Sequence, residues 1–246
     1  DATNGAVQDP NWVIGVGSML LTGGGRFALY GGGLSDKISS YNRIGTLAAN
    51  LRSGSEVQFA ADSNLVIGSV AGVNGVTIPN GRLDTYLDKN NARLQLTENV
   101  TAGSVYFRNQ GGTLQAGGNL IANNVALKGG SVTLISTGND IGTIAANING
   151  PLSITDINQL IIGSATGVTG ITTTNQNVTI KTGAAPGYDN QSWPTTASPA
   201  NPASLTINEN INAGTGVIDV TAGNGGVFQR HDVVDGALLE NGKINA

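Results

Sequence analysis

The chain repeats itself, and this internal repeat limits the folds open to it more than any other feature. IGTLAAN at 44–50 returns as IGTIAAN at 141–147, and LVIGSVAGVNGVTI at 65–78 returns as LIIGSATGVTGITT at 160–173. Two further phrases follow in the same order in both copies: LQLTENVTAGSV (94–105) with LTINENINAGTGV (205–217), and GGTLQAGGNLIANNVALKGG (111–130) with GGVFQRHDVVDGALLENGK (225–243). Four matches in a fixed order indicate a repeat architecture.

The matched phrases divide the chain into two copies, at 44–140 and 141–246. Residues 1–43 resemble the end of a preceding copy, because MLLTGGGRFALYGGG at 19–33 parallels VALKGGSVTLISTG at 125–138. We therefore expect residues 1–246 to form one continuous solenoid that is a window of a longer array. The opening DATNG has no methionine and no signal-peptide pattern, which also predicts a processed or excised piece.

The second copy carries an insertion, because the offset between copies jumps from 95 at the second phrase to 111 at the third. We place it in AAPGYDNQSWPTTASPANPA, at 184–203, which holds four of the seven prolines. Proline interrupts strand ladders, so this stretch is predicted to be a surface loop.

Short strands separated by glycine and asparagine turns fill each copy. The chain has 37 glycines, about twice the usual share, and few strong helix formers. Apolar and polar residues alternate in Val132-Thr133-Leu134 and Leu205-Thr206-Ile207, which is the period of a strand with one buried face. Only 4% of residues are aromatic, which favours the thin aliphatic core of a parallel β-solenoid over a sandwich. We expect glycines to form the turns between these strands: Gly68, Gly72 and Gly75 in copy one, and Gly163, Gly167 and Gly170 in copy two.

Charge and residue usage exclude several function classes. The net charge is −4 with no basic cluster, which argues against nucleic-acid binding. Apolar runs are short and broken, so we expect no membrane insertion of this segment. The chain has no cysteine, which excludes disulfides and thiol chemistry. No cofactor is expected.

A family resemblance follows from these phrases. The LxIGSxxGVxGxTT phrase and the TAGSV and NAGTG turns resemble the haemagglutinin-type repeats of filamentous haemagglutinin-like adhesins of two-partner secretion systems, from about residue 15 onward. TIPNG at 77–81 resembles the NPNG phrase of their secretion domains, but Ile78 replaces its first Asn. The resemblance implies a right-handed parallel β-helix in an extracellular or bacterial cell-surface protein. With the insertion at 184–203, the expected fold is all-β, a right-handed parallel β-helix with a proline-rich surface loop.

Candidate catalytic residues are few. His231 is the only histidine, and the matching stretch of copy one has Gly117 in its place, which favours a solvated turn. Asp84 and Asp88 lie in GRLDTYLDKNNAR at 81–93. They would approach each other if this loop formed a helical turn, as acid–base or calcium chemistry on a polysaccharide would need. A charged loop that covers the solenoid is the simpler interpretation.

The proline-rich loop is the best candidate for ligand or partner binding, because aromatics beside amides suit sugar stacking and loops on rigid scaffolds carry function. The residues concerned are Tyr188, Asp189, Asn190, Gln191 and Trp193. A fold-back of Trp193 onto the solenoid is the alternative. Three N-x-S/T sequons, at Asn99, Asn177 and Asn190, are compatible with glycosylation, although such matches arise by chance in an Asn- and Thr-rich chain.

Taken together, the sequence predicts a non-catalytic structural segment of a bacterial adhesin or surface fibre that mediates attachment or biofilm formation. Its expected partners are a glycan or protein on a host or neighbouring cell, or other copies of itself. Two alternatives stay open: a self-assembling filament or sheath subunit, whose ends expose strand edges, and a carbohydrate-active β-helix enzyme such as a polysaccharide lyase or hydrolase.

Overall fold

The structure, a computed structural model, describes residues 2–9, 12–30, 42–87, 91–183, 204–223, 226–234, 237–241 and 244–245, with side chains up to residue 227. The described chain is all-β and contains a large parallel sheet of many strands. Within these ranges no helix is long and apolar enough to cross a membrane. The expected fold class is therefore confirmed at the level of all-β structure and parallel pairing.

The chain divides into two compact units. Unit 1 comprises residues 1–123 and 128–130, and unit 2 comprises residues 124–127 and 131–246. The division thus falls shortly before the start of the second sequence copy at residue 141. A single continuous solenoid over residues 1–246 stays a prediction.

Unit 1 is built from short strands, which pair in parallel except for β7 and β8. Strand β13 (Leu120–Gly129) contributes residues to both units, and the strands before it are β1 (Gly5–Val7), β2 (Gly15–Gly23), β3 (Arg26–Leu29), β4 (Arg43–Leu51), β5 (Glu56–Ala61), β6 (Leu65–Ile67), β7 (Ser69–Val70), β8 (Val73–Asn74), β9 (Val76–Leu87), β10 (Leu94–Leu96), β11 (Val100–Asn109) and β12 (Thr113–Gln115).

These strands form three parallel ladders. The first ladder runs β1–β3–β5 and continues to the second half of β9 and then to the second half of β11. The second runs β2–β4–β6–β10–β12. The third joins the end of β4 to the first half of β9 and then to the first half of β11. Each long strand therefore bends from one ladder into the next, at Asn80–Gly81 in the case of β9, where the pairing with β11 is also irregular.

Unit 2 has the same organisation. Its strands are β14 (Val132–Leu134), β15 (Asp140–Ile148), β16 (Leu152–Thr155), β17 (Leu160–Ile162), β18 (Ser164–Ala165), β19 (Val168–Thr169), β20 (Ile171–Thr173), β21 (Val178–Lys181), β22 (Leu205–Ile207), β23 (Ile211–Asn212), β24 (Ile218–Thr221), β25 (Val227–Val234), β26 (Ala237–Asn241) and β27 (Ile244–Asn245). The ladders are β14–β16–β21–β24, β15–β17–β22–β25 and β15–β20–β23–β27, all parallel.

The core is built mainly from aliphatic residues that pack against the equivalent residues of neighbouring strands. Leu65 pairs with Leu94 in unit 1, and Leu160 pairs with Leu205 in unit 2, and all four are completely buried. Burial of one such side chain contributes roughly 1.5–3 kcal/mol. Because in-register parallel pairing places like residues side by side, columns of Leu, Ile and Val form most of the core. Phe27, Phe59 and Phe107 are buried with them, so the core is not purely aliphatic as the sequence predicted.

The predicted period of two is confirmed in the strands that suggested it. In β14 and β22 the two aliphatic residues are buried and the central threonine is half-buried. The same buried, half-buried, buried pattern occurs in β6, β10 and β17. The alternation of apolar and polar residues in the sequence therefore indicates which face of each of these strands is buried.

Matched phrases of the two copies occupy equivalent positions in their respective units. In unit 1 the amide of Val76 donates to the carbonyl of Asn99, and in unit 2 the amide of Ile171 donates to that of Asn210. The buried Asn42, just before the first IGT phrase, donates its amide to Leu29 O at 2.9 Å. Asn139, before the second IGT phrase, donates to Leu134 O at 3.2 Å. The repeat thus extends to individual hydrogen bonds.

Candidate functional site

The glycine phrase forms an antiparallel hairpin that leaves the parallel ladders. Strands β7 and β8 pair around Ala71-Gly72 in unit 1, and β18 and β19 pair around Thr166-Gly167 in unit 2. Both central residues of each turn have positive φ, between 47° and 85°, which is the signature of a type I′ turn. The phrase was predicted as tight bends between short strands, and the structure shows instead an added hairpin at each copy.

Glycines at the two ends of the hairpin attach it to the ladder. In unit 1 the amide of Gly75 donates to Gly68 O at 3.0 Å, and in unit 2 the amide of Gly170 donates to Gly163 O at 2.9 Å. Gly75 and Gly170 have positive φ, and a Cβ at either would overlap the carbonyl oxygen of the adjacent strand, on Asn99 or Asn210. Gly68 and Gly163 have ordinary φ angles.

The stretch at 81–93 was predicted as a charged loop or helical turn, and this is wrong for its first half. Residues 82–87 form the second half of β9, paired in register with β5 and β11. Asp84 lies in the middle of this strand and is 2% exposed. Asp88 and Lys89 lie outside the described residues. A strand projects Asp84 away from the core side while its neighbours Leu83 and Thr85 face inward, both fully buried.

Outward-facing residues of the first ladder form rows of charged and aromatic side chains, which we name the arginine–tyrosine face. One row pairs Arg26 with Glu56 and Glu56 with Arg82. The next pairs Gln58 with Asp84 and Asp84 with Tyr106, and the third pairs Tyr86 with Arg108. The face is defined by these residues: Arg26, Glu56, Gln58, Arg82, Asp84, Tyr86, Tyr106 and Arg108.

Asp84 is the centre of this face. Its Oδ1 accepts a hydrogen bond from Arg108 Nη2 at 3.0 Å, and its Oδ2 accepts one from Arg82 Nη2 at 3.2 Å. Burial raises the pKa of Asp84, and the charges and hydrogen bonds of Arg108 and Arg82 act in the opposite direction. Both carboxylate oxygens are thus occupied by guanidinium donors, which suits charge pairing and opposes proton transfer to a substrate.

Arg108 is the more enclosed of the two arginines, with its side chain 16% exposed against 39% for Arg82. Its guanidinium carbon lies 4.7 Å from the centroid of Tyr86 and 4.9 Å from that of Tyr106. Such contacts contribute about 0.5–2 kcal/mol each, more where water is excluded. Burial raises the pKa of Tyr106, so its hydroxyl remains neutral at physiological pH.

A second, more exposed group of contacts continues the face toward β3. Glu56 Oε2 lies 3.3 Å from Arg26 Nε, and Glu56 Oε1 lies 4.0 Å from Arg82 Nη1. Gln58 donates to Glu56 Oε1 at 2.7 Å and accepts from Arg26 Nη2 at 2.7 Å. These links connect neighbouring strands of one ladder, so the face also fixes strand register.

Metal binding finds no support where the structure describes the chain, because no group of three His, Cys, Asp or Glu residues lies together there. His231 was predicted to lie in a solvated turn, and this is wrong, because its backbone belongs to strand β25 and pairs with Glu240 of β26. Its side chain lies outside the described part. The predicted binding loop at 184–203, with Tyr188, Asp189, Asn190, Gln191 and Trp193, lies outside it as well. The binding prediction for this loop stays a prediction.

Two sequon asparagines are described and both are exposed. The Oδ1 of Asn99 accepts the amide of Asn119 at 2.8 Å, and that of Asn177 accepts the amide of Val217 at 3.0 Å. These side chains link segments of neighbouring ladder positions, which gives them a structural role irrespective of modification.

A buried carboxylate in unit 2 gives the fold a pH dependence. Asp156 is completely buried, and its oxygens accept the amides of Ile141 at 2.8 Å and Asn158 at 3.0 Å. Burial raises the pKa of Asp156 to about 7, against the lowering effect of these two hydrogen bonds, and Asp140 raises it further.

Replacement of Asp156 by Asn is expected to flatten this pH dependence. Between the unfolded pKa of 3.8 and the folded pKa of about 7, the folded state binds the proton more tightly. The stabilisation is therefore complete below pH 3.8 and is lost as the pH rises to about 7, by on the order of 4 kcal/mol. Urea unfolding of wild type and Asp156→Asn between these limits measures the difference, and a constant difference would contradict the assignment.

Sequence reasoning missed most of the arginine–tyrosine face. Tyr86, Tyr106 and Arg108 carried no local pattern that singled them out, and Asp84 was assigned to a loop. The available signal was the i, i+2 spacing of Arg82, Asp84 and Tyr86, which places three polar or aromatic residues on one side of a strand.

Comparison with known proteins adds no further identification: no family model, no curated protein and no solved structure matches the chain.

Proposed function

We propose that this chain is a rigid, non-catalytic segment of an extracellular bacterial adhesin or surface fibre, built as a right-handed parallel β-helix. The observation that carries the proposal is the repeated set of parallel ladders, in which aliphatic side chains stack on their equals and polar side chains face outward. A structure of this kind supplies length and stiffness, because every strand pairs its backbone with the next.

The helical winding is supported by the pairing order. In unit 1 the chain returns to the same ladder from Val76 to Val100, and in unit 2 from Leu152 to Val178. These returns take 24 and 26 residues, within the range of known solenoid repeats. Crossovers between parallel strands of one sheet are right-handed in nearly all cases, which agrees with the handedness implied by the haemagglutinin-type phrases.

The surroundings of Asp84, one of the two carboxylates that a catalytic role would need, support a non-catalytic role. Asp84 is nearly inaccessible, and each of its oxygens is held by an arginine. Glycosidases need two carboxyl groups that flank a substrate bond, one of which exchanges a proton. Asp84 as it is held here serves neither role.

Attachment is the activity that this proposal assigns, with a glycan or protein of a neighbouring cell as partner. Display of the chain on a non-adherent bacterium through a surface anchor should increase attachment to cultured epithelial cells or to biofilm matrix. The control is the same anchor without the chain at equal surface density. Attachment at the level of the bare anchor on all surfaces tested would contradict the proposal.

The enzyme alternative predicts turnover of polyuronides or other glycans that is lost in Asp84→Ala. Reducing-end assays on a polysaccharide panel decide this point, and turnover that depends on Asp84 would replace our proposal. The filament alternative rests on open strand edges such as that of β1, which pairs only with β3 among the described strands. Concentration-dependent filaments in electron micrographs would favour it, and a monodisperse monomer would argue against it.

A further inference from the structure

The arginine–tyrosine face has more positive charge than its own carboxylates neutralise. Three arginines, at 26, 82 and 108, face two carboxylates, at Glu56 and Asp84, whereas the whole chain has a net charge of −4. A local positive excess on an acidic protein attracts an anionic group to this face.

Arg82 is the member of the face with donors to spare. Its Nη2 is bonded to Asp84, its Nη1 lies 4.0 Å from Glu56, which is beyond hydrogen-bond distance, and its Nε is buried without a hydrogen-bond partner. The side chain is 39% exposed. Because Nε is buried, Nη1 is the donor that is left for a carboxylate from solution.

Tyr106 supplies a ring beside this guanidinium. It is half-buried. Tyr106 pairs with Asp84 across the two strands, and Ser104, two residues earlier on β11, pairs with Arg82. From the strand spacing and rise, the Cα atoms of Tyr106 and Arg82 are about 8 Å apart. Arg108 lies against Tyr106 at 4.9 Å and limits the ring's freedom to move. An aromatic ring and an arginine on the same face of neighbouring strands suit a pyranose that carries a carboxylate.

We propose that the arginine–tyrosine face binds a uronic acid unit of an acidic glycan, with Arg82 on the carboxylate and Tyr106 against the sugar ring. The inference rests on the proposed extracellular role, which gives the face access to such glycans. A neutral sugar would leave the positive excess uncompensated, and an acidic peptide would not use the aromatic ring in this way.

The test is calorimetric titration of the purified chain with a galacturonic acid trisaccharide, its methyl ester and triglutamate. We expect the trisaccharide to bind, and the ester and triglutamate to bind at least about tenfold more weakly, which is the loss of roughly 1.4 kcal/mol. Arg82→Gln and Tyr106→Ala should each weaken binding of the trisaccharide by about tenfold or more. Lys181→Gln removes an exposed positive charge from unit 2 and should have no effect.

Circular dichroism of each variant shows whether it folds, and the ester and peptide titrations use only the wild-type chain. Equal binding of acid and ester, tighter binding of triglutamate, or no binding of the trisaccharide would overturn the inference. Because these titrations need no cells, attachment without uronate binding would refute this inference alone, and uronate binding without attachment would refute the adhesive role alone.

Discussion

Replacement of Arg108 by Ala is expected to lower the free energy of unfolding by about 3–5 kcal/mol, the largest loss from any single charged residue of the face. The change leaves Asp84 buried, with only the more exposed Arg82 to neutralise it. It also removes the guanidinium that packs between Tyr86 and Tyr106. Urea unfolding followed by circular dichroism measures the effect.

A matched pair of variants separates the charge effect from lost packing. Arg82→Ala removes the other partner of Asp84 from a more exposed position, and the expected loss is about 1 kcal/mol or less. The double variant Arg108→Ala with Asp84→Asn should recover part of the loss seen for Arg108→Ala, because no buried charge remains. Equal losses for the two arginine variants, or no recovery in the double variant, would show that Asp84 is not the cause.

Replacement of Gly75 by Ala is expected to cost about 3 kcal/mol or more, because two penalties act together. Alanine is strained at a φ of 70°, and its Cβ would overlap the backbone oxygen of Asn99 on the neighbouring strand. The hydrogen bond from Val76 to that same oxygen, 2.9 Å long, would have to lengthen. Thermal and urea unfolding of the variant test this expectation.

Gly72 in the same hairpin is the control. Its φ is 85°, but a Cβ there would meet no atom within 4 Å, so only the backbone strain applies and the expected loss is about 1 kcal/mol. The pair Gly170→Ala and Gly167→Ala in unit 2 should show the same contrast, since Gly170 approaches Asn210 and Gly167 is open. A loss of stability at Gly72 as large as that at Gly75 would mean that the positive φ, and not the overlap with Asn99, determines the loss.

The strands were accessible to sequence reasoning because each is short, apolar on alternate residues and bounded by glycine or asparagine. Val132–Leu134 and Leu205–Ile207 were expected as strands, and both form ladders. Their parallel pairing followed from the repeat, since equivalent residues of successive turns must lie side by side to bury one aliphatic column. The sequence therefore contained most of the information that fixes the ladders.

The hairpins and the charged face were not accessible in the same way. A type I′ turn is usually signalled by Asn-Gly or Asp-Gly, and here Ala71 and Thr166 occupy the first positive-φ position. Asp84 is matched with Arg108, 24 residues along the chain, and this contact exists only because β9 and β11 pair in register. Local sequence around residue 84 shows a run of charges, which is also typical of a solvated loop.

Engineered disulfides test the parallel, in-register stacking most directly, because the natural chain has no cysteine to interfere. Val66 pairs with Gln95 in unit 1 and Ile161 pairs with Thr206 in unit 2, all four half-buried on the outer side of their ladders. Neighbouring parallel strands lie about 4.8 Å apart, within disulfide reach, whereas a shift of two residues gives about 8 Å.

We predict that Val66→Cys/Gln95→Cys and Ile161→Cys/Thr206→Cys form bridges nearly completely under mild oxidation, as read by mass spectrometry of proteolytic fragments. The shifted pairs Val66→Cys/Arg93→Cys and Ile161→Cys/Asn208→Cys should stay largely reduced. Failure of both in-register pairs, or equal bridging by the shifted pairs, would contradict the stacked parallel fold on which the proposed function rests.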